Sequence, residues 1–453
     1  MKENMKTTKN IILATLLAFV FVGCTKDFVE GFSTDPSQLQ TAEVNNLLTS
    51  AQQQTGWPHG DELARITEVL VQRSKGNGRQ ALAYNRYALT ESNSNNDWGN
   101  NWYGGAMKDL DVIIKQGNMQ GANHYVGVAK ILMAINLGAL TDLFGDIPYT
   151  EAFQGADNLN PMYDSQENIY STILSLCDEG ISSLGKNGIS SLNLSSFDQI
   201  YSGDLDKWIK LAHAIKARHL NHLSKLPQYN ATDILNELNN ALTSNSDNAV
   251  ISYESTAIKG NPWAQFTVDR TDLDYVTGTP FAKMITNDPR KAIFEKMNNT
   301  SSSGENGGFY GNFNSGLLLY TFHEMKFIEA EVRFRQGGTG AATNALVAAI
   351  TANMEMLGIA KSEINTYLSS LPVTSLATIM NEKYKALYTQ MESWTDWRRT
   401  GFPNLTTNPY GSNLEINEIP RRLPYPQTER LYNKNFKDLS SSENRTQRMW
   451  WDQ

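Results

Sequence analysis

Apolar residues recur at intervals of three and four residues along most of this chain, and this spacing restricts the fold more than any other feature of the sequence. Such spacing places the apolar side chains on one face of an α-helix. The segments that show it are Asp97–Ile114 with Asp97 as a cap, His124–Leu143, Asn168–Leu184, Asp204–Leu226, Leu317–Gln336, Ala341–Leu357 and Ser375–Gln390. Glycine or proline separates most of them. We therefore predict an all-α fold built from tetratricopeptide-like helical hairpins, although the full repeat signature is absent.

Irregular sequence is confined to a few stretches between these helical segments. They are Gln52–Gly60, Gly76–Tyr87, Tyr253–Thr279 and Gly401–Gln453, and a short β-strand is predicted near Ala249–Tyr253. Long loops on a helical scaffold commonly carry function. Because these stretches contain tryptophan and tyrosine, we predict an ordered, loop-rich face that holds a ligand.

Composition excludes several classes of protein. The 453 residues include 39 Lys and Arg against 47 Asp and Glu, a net charge of −8, so a nucleic-acid partner is not expected. A mean hydropathy of −0.42 excludes a polytopic membrane protein. The 2 Cys cannot form a disulfide scaffold. Uncharged polar residues and 10% aromatic residues predict a neutral, hydrogen-bonding surface that suits sugars.

The N-terminus has the pattern of a secretory signal. Three lysines precede the apolar run Ile11–Val22, and Gly23–Cys24 follows it. A cysteine at the first mature position is where bacterial lipoproteins receive acyl chains such as palmitate, and Val22–Cys24 resembles their lipobox. We predict a signal peptide at 1–23, lipidation of Cys24, a tether at 24–40 and a single domain at 41–453. Cys177 then has no partner, and its helical pattern predicts a buried thiol.

No catalytic site is predicted from the sequence. Of the three histidines on one predicted helix, only His219 and His222 share a face, and no H-E-x-x-H motif occurs. A structural role for these histidines is favoured over metal binding. Glu324, Glu329 and Glu331 lie on one helix beside basic residues, which favours ion pairs over glycoside hydrolysis. We predict no enzyme activity, no metal site and no cofactor, and the sequence gives no support for a structural calcium ion.

Six segments in a fixed order carry a resemblance to a known family. They are Leu143–Ala152, Asn287–Arg290, Glu329–Gly337, Trp394–Pro403, Arg421–Pro426 followed by Glu429 and Asn433, and Trp450–Asp452. Together with the lipobox, this ordered set resembles the SusD/RagB family of surface lipoproteins of Bacteroidota, in its SusD-like branch. Each segment also has a folding role: Gly145 and Pro148 can end a helix, Asp146 can cap backbone N–H groups, and Arg398 and Arg399 can stack and pair beside tryptophans.

The resemblance implies function by partnership. SusD-like proteins form a hinged lid over a SusC-like TonB-dependent transporter in the outer membrane. They capture oligosaccharides or polysaccharides at the cell surface and pass them to the transporter. The resemblance therefore implies a non-catalytic, lipid-anchored protein exposed on the outer membrane.

Ligand residues do not transfer from the family, because its binding loops vary. Sugars offer apolar C–H faces to aromatic rings and hydroxyl groups to polar side chains. On that chemistry the candidate ligand residues in the irregular stretches are Trp57, His59, Asp61, Arg79, Tyr84, Trp263, Arg270, Asp272 and Tyr275. Trp98 and Trp102 have helical spacing that favours core packing instead.

Three alternatives remain open at the level of sequence. A RagB-like relative would capture peptides for the same class of transporter. An all-helical glycoside hydrolase is the enzymatic alternative. A purely structural lid would leave all specificity to the transporter.

Overall fold

Helices form most of the structure, a computed structural model that describes residues 43–189, 192–411, 414–436 and 445–453. The α-helices are α1 Val44–Gly56, α2 Glu62–Leu70, α3 Arg79–Asn85, α4 Met107–Gln120, α5 Asn123–Phe144, α6 Gln166–Leu184, α7 Leu205–His222, α8 Ala231–Asn240, α9 Pro262–Asp269, α10 Pro280–Met284, α11 Lys291–Glu295, α12 Gly308–Gly311, α13 Phe322–Arg335, α14 Thr339–Met356, α15 Lys361–Ser369, α16 Leu376–Ala386, α17 Glu392–Thr400 and α18 Gln427–Tyr432. The predicted all-α fold is confirmed. Val44–Gln453 forms one compact unit, whereas Cys24 and the predicted boundaries at residues 23 and 40 lie outside the described residues.

Neighbouring helices pack as hairpins. Only two residues separate α4 from α5, and Gly121 between them takes a φ of 71°, which a side chain would disfavour. Gly337 has a φ of 82° at the turn between α13 and α14. Further along the chain α5 packs on α6, α6 on α7, and α7 on α8. Short left-handed turns set α4 beside α5 and α13 beside α14, as the glycine punctuation predicts, whereas longer connections join α5 to α6 and α6 to α7.

Helix α5 is the central helix of the first half of the fold. Its 22 residues include small side chains at positions that touch neighbouring helices, such as Gly127 against Leu184 and Gly138 against His219. Among the described residues, α5 is the one helix long and apolar enough to span a membrane, yet 89% of that window is buried inside the protein. It is therefore a core helix, apolar on all sides because protein surrounds it.

Three short antiparallel strand pairs join distant parts of the chain. They are β1 Lys75–Gly76 with β5 Leu273–Asp274, β2 Ile147–Pro148 with β3 Tyr163–Asp164, and β4 Ala249–Ile251 with β6 Leu317–Tyr320. The strand predicted near Ala249–Tyr253 is confirmed. The helix predicted from Leu317 is wrong for its first four residues, because a continuous apolar run carries no helical period and pairs with β4. The helix begins only after Thr321, whose hydroxyl caps it.

Several stretches predicted as irregular contain helices. Residues 52–56 close α1, while α3 and α9 lie in the second and third irregular stretches. Helix α1 was hidden by its polar composition, since its buried face includes Gln52 and Thr55 beside Leu48. The helix predicted to be capped by Asp97 starts as a π-helix, Asp97–Ala106, that already contains Asp97 and is distorted at Gly105.

The family segments form a buried polar scaffold. Arg399 makes two hydrogen bonds of 2.6 Å to Glu331, from Nη1 to Oε1 and from Nη2 to Oε2, and its Nη2 lies 2.6 Å from Asp396 Oδ1. Burial alone would raise the pKa of Glu331, but the Arg399 guanidinium outweighs burial and holds that pKa well below its usual range. Arg290 pairs with Asp288 at 2.7 Å and with Glu382 at 3.0 Å. These segments hold helices together, as predicted for them.

Smaller predictions for the scaffold are also confirmed, except at Gly145. The Asp146 carboxylate accepts the backbone N–H of Gln166 at 2.8 Å. Gly145 follows α5 with a φ of 89°, but its ψ of −121° lies outside the left-handed helical region, so the left-handed helix end expected for this glycine is wrong. Cys177 is a buried free thiol, and both Trp98 and Trp102 pack in the core.

Candidate functional site

An open groove of about 600 Å³ lies between the end of α1 and the loop that follows β4. One wall is the 3₁₀ turn Trp57–His59, and the other is the segment Ser252–Gly260. The groove is lined by Gln53, Trp57, Gln199, Ser252, Tyr253, Glu254, Ile258, Lys259 and Gly260. Its walls thus combine two aromatic rings with amide, hydroxyl and charged groups.

Trp57 is held in place by its neighbours and remains half-buried. Pro58 occupies the first turn after the tryptophan, where its fixed φ favours the 3₁₀ turn. The indole Nε1 donates a hydrogen bond of 2.9 Å to Asp61 Oδ2. The other Asp61 oxygen accepts from Arg65 at 2.9 Å. Asp61 therefore orients the indole ring, and both of its carboxylate oxygens already have partners.

The opposite wall is formed by Tyr253 and an exposed aliphatic side chain. The Tyr253 hydroxyl is buried and has no hydrogen-bond partner in the described part of the chain. Burial raises the pKa of Tyr253, so the hydroxyl keeps its hydrogen, and a turn of the side chain toward the groove would let it donate to a ligand. Ile258 is 91% exposed. Glu254 and Lys259 close this loop with an ion pair of 2.9 Å.

Two glutamines complete the groove on the side of α1. Gln53 Nε2 donates to Gln199 Oε1 and lies 3.4 Å from the carbonyl oxygen of Ser252. Amide groups at the edge of an aromatic surface can exchange hydrogen bonds with ligand hydroxyls. The arrangement therefore suits an uncharged, polyhydroxylated ligand with apolar faces.

The structure brings only two of the predicted ligand residues to this groove. Trp57 lines it, and Asp61 supports Trp57 from behind. His59 lies two positions after Trp57 but lines a separate, small cavity near α5 and α7. Burial, followed by the charge of Arg218, lowers the pKa of His59 to about 3.

A second set of predicted residues meets on another surface. Asp272 lies beside the β1–β5 pair, 3.7 Å from Arg79 Nη1 and 3.9 Å from Arg270 Nη1. The Arg79 side chain is 67% exposed, whereas that of Asp272 is nearly buried. These residues form an ionic cluster, and a role for it in ligand binding stays a prediction.

The remaining predicted residues lie in the core. Trp263 is 1% exposed and packs edge-to-face on Tyr275 at a ring separation of 6.1 Å. Tyr84 is buried and donates its hydroxyl to Glu62 at 2.8 Å. Trp57, Trp263 and Tyr275 therefore do not share an exposed face, because burying a large aromatic surface stabilises the fold more than exposing it. We remove the three core residues from the candidate site.

Sequence reasoning missed most of the groove. Tyr253 was recognised only as the end of a strand and the start of a loop, which is the one signal that could have marked it. Gln53 and Gln199 are 146 residues apart, and only the tertiary structure shows that they meet.

A second groove of about 500 Å³ runs along the π-helix Asp97–Ala106. Tyr103 stacks there on Phe153 at a ring separation of 6.0 Å, and Trp98 donates its indole N–H to Glu429 at 3.2 Å. The aromatic rings of this groove are packed on one another and bonded to the scaffold. It therefore has fewer free contacts to offer a ligand than the groove at Trp57.

Comparison with known protein families identifies the fold and its family. Residues 36–426 match the family model SusD-like, described as "Starch-binding associating with outer membrane". The chain belongs to the SusD-like family. No curated protein matches the sequence at a significant level.

Solved structures agree with this assignment. A SusD/RagB family protein from Bacteroides thetaiotaomicron matches with a TM-score of 0.75 and 22% identity, over 91% of this chain and 99% of its own. A chitin-binding protein matches with a TM-score of 0.76 and 22% identity, over 90% of this chain and 100% of its own. A chitin-binding SusD homolog from Flavobacterium johnsoniae matches with a TM-score of 0.72 and 18% identity, over 90% of this chain and 98% of its own. At these identities the SusD-like structures establish the fold.

Proposed function

We propose that this SusD-like protein is a non-catalytic lipoprotein of the outer membrane that captures glycans at the cell surface. In this proposal Cys24 carries the lipid anchor, and the bound oligosaccharide or polysaccharide passes to a SusC-like TonB-dependent transporter. The family description and the chitin-binding relatives support a carbohydrate ligand. The lipobox-like sequence supports the anchor.

The groove at Trp57 is the observation on which the proposed binding site rests. A sugar ring would place its C–H face on the indole ring, which Asp61 holds in one orientation. Tyr253 would donate its unpartnered hydroxyl to a sugar hydroxyl, and the amides of Gln53 and Gln199 would pair with others. Because these groups are placed by α1 and β4, the site needs little ordering when a ligand binds.

Titration calorimetry against polysaccharides, oligosaccharides and peptides tests the proposal. We expect at least one glycan to bind. Trp57→Ala should weaken the binding of that glycan by about 2 kcal/mol, or roughly 30-fold in affinity, as for a central aromatic contact. Arg79→Ala is the comparison, since Arg79 is exposed, lies outside this groove and belongs to the ionic cluster that is the competing candidate for ligand binding. Its affinity should equal that of the wild type.

Four results would overturn the proposed ligand, site or function. Binding of peptides with no binding of any glycan favours the RagB-like alternative. An equal loss of glycan affinity in Trp57→Ala and Arg79→Ala would show that the groove is not the binding site. Release of reducing sugar from a bound glycan would identify a glycoside hydrolase instead, and absence of binding to every ligand would favour a purely structural lid.

The anchor and the transporter need separate experiments. Cys24→Ser should abolish acylation and shift the protein from the outer-membrane fraction to the soluble fraction. Affinity purification from solubilised membranes should recover a TonB-dependent transporter with the wild-type protein. Recovery of no membrane protein would contradict the partnership while leaving glycan binding intact.

A further inference from the structure

Three potential metal ligands meet in the interior, between α5 and α7. They are Asp142, His219 and His222, and one donor atom from each lies within 4.8 Å of the other two. All three side chains are buried. His222 Nδ1 lies 3.6 Å from Asp142 Oδ2. This cluster is separate from the groove at Trp57, and nothing in the proposed function uses it.

His219 presents an unused electron pair to this cluster. Its Nδ1 lies 2.8 Å from the carbonyl oxygen of Ile215, and a carbonyl can only accept, so Nδ1 carries the hydrogen. The other ring nitrogen, Nε2, is then an acceptor, and it has no hydrogen-bond partner among the residues that the structure describes. A Cβ at Gly138 would lie 2.4 Å from Nε2, so a glycine there lets the imidazole ring approach α5 closely.

His222 has the same arrangement with its ring nitrogens reversed. Nε2 lies 2.9 Å from a Glu392 carboxylate oxygen, which places the hydrogen on Nε2. Nδ1 is then an acceptor that faces Asp142 and the Tyr170 hydroxyl, the latter at 2.9 Å.

The cluster has more acceptors than hydrogens. The single Tyr170 hydroxyl hydrogen faces both Asp142 Oδ1, at 2.5 Å, and His222 Nδ1. Whichever acceptor it serves, the other is left without a hydrogen, and His219 Nε2 remains unpaired as well. Buried acceptors without partners are costly. A proton on Asp142 would still leave His219 Nε2 unpaired, whereas a cation at the centre of the cluster can accept an electron pair from each of the three side chains.

We propose that Asp142, His219 and His222 bind one divalent ion of the zinc class and thereby tie α5 to α7. Two imidazoles and one carboxylate are a ligand set that zinc accepts. Each histidine donates its other N–H to a carbonyl or a carboxylate, the outer contact that orients metal-binding imidazoles. Bond lengths of about 2.0–2.2 Å require the three side chains to close slightly from their present spacing.

The surroundings of the cluster leave room for the ion and limit repulsion. Asp142 and His219 line a cavity of about 40 Å³, enough for a water molecule as a fourth ligand. Arg218 also lines this cavity, but its Nη2 lies 2.5 Å from Glu324 and its Nε lies 3.8 Å from Glu392. On metal binding any proton on Asp142 passes to solvent, and the Tyr170 hydroxyl donates its hydrogen to Asp142 Oδ1.

Metal loading of the full chain, prepared without a polyhistidine tag, tests this site. After treatment with a chelator and then with excess zinc, we expect about one zinc ion per chain after desalting, measured by mass spectrometry of the metal. Cobalt should give the visible absorption bands of a tetrahedral or five-coordinate ion. His219→Gln and Asp142→Asn should each lower the affinity at least tenfold. His213→Gln is the control, because His213 lies on the same helix but outside the cluster.

Each result decides the proposal. Wild-type protein that retains less than about a tenth of an equivalent of zinc overturns it, and the cavity then holds water only. Equal zinc binding by wild type and His219→Gln also overturns it. Should His219→Gln fail to fold, the melting temperature of the wild type is compared in zinc and in chelator. A higher melting temperature in zinc, with the same increase in His213→Gln, supports the site. An unchanged melting temperature refutes it.

Discussion

The groove at Trp57 and the buried scaffold use the same residue types in opposite ways. In the scaffold, the Arg398 guanidinium lies 3.8 Å from the ring centre of Trp394, and its Nη1 donates to the Asp142 carbonyl oxygen at 2.6 Å. The same guanidinium also lies 4.8 Å from the ring centre of Trp451, so protein side chains cover it on two sides. In the groove, Trp57 has one hydrogen bond and an open ring face, and Tyr253 has an unused hydroxyl.

This difference shows how aromatic residues acquire function in a helical protein. An aromatic ring whose partners all come from the protein stabilises the fold and offers nothing to a ligand. A ring that is fixed on one side only leaves binding energy for a partner. Each of the following predictions compares the two regions, from the largest expected effect to the smallest.

Arg399→Met should lower the free energy of unfolding by about 3–5 kcal/mol, because it removes the fully buried cation beside Glu331 and leaves only the partly exposed Arg335 to pair with that carboxylate. Urea denaturation measures the effect. Arg333→Ala provides the control, since Arg333 is partly exposed and lies 3.6 Å from Glu329, where an ion pair contributes about 0–1 kcal/mol. Equal losses in the two variants would contradict the description of a buried ionic scaffold.

Trp263→Ala should cost about 3–5 kcal/mol of stability, because it empties a buried site the size of an indole ring. Trp57→Ala should cost about 1 kcal/mol or less, since part of that ring already faces solvent. Thermal unfolding of the two variants side by side gives the comparison. A larger loss for Trp57→Ala would place Trp57 in the scaffold and remove it from the groove.

His323→Asn should flatten the dependence of stability on pH. Burial, and after it the charge of Arg290, lowers the pKa of His323 to about 3, so the folded protein holds this ring neutral. Below the unfolded pKa of about 6.5 the unfolded chain binds a proton that the folded chain does not, so stability falls as pH falls. The wild type should lose about 1 kcal/mol more per pH unit than the variant between pH 6 and pH 4. Parallel urea curves at several pH values test this, and identical slopes would refute it.

Tyr253→Phe should weaken glycan binding by about 1 kcal/mol and leave stability unchanged. The hydroxyl has no partner in the described residues, so its removal costs the fold nothing, while a bound sugar loses one hydrogen bond. Calorimetry with the best glycan of the panel measures the loss. Tyr84→Phe, which removes a hydroxyl bonded to Glu62, should show the reverse pattern. Unchanged affinity in Tyr253→Phe would exclude that hydroxyl from the site.

The sequence predicted the scaffold well because its signals are local. Helical periodicity depends on residues three and four positions apart, and the motifs around Arg290 and Arg399 pair charges within a few positions, as Asp288 with Arg290. The errors fell where tertiary contacts outweigh local pattern. β6 is a strand because β4 lies beside it, and α1 is a helix although much of its buried face is polar.

The candidate site could be predicted only in part. Trp57 was identified because glycine and proline flank it, a local signal. Trp263 follows Asn261 and Pro262 in much the same way and is nevertheless buried, so flanking residues alone do not separate a ligand contact from a core contact.

By itself, then, the sequence determined the helical class, the family and the residues that join the helices. Only the tertiary structure decided which aromatic rings remain open and which distant groups meet, such as Gln53 with Gln199 or Asp142 with His219. The physical reason is that periodicity and charge pairing are recorded over a few residues of the chain. Burial is a property of the whole packed molecule, and it decides whether a tryptophan lies in the core or remains exposed on the surface.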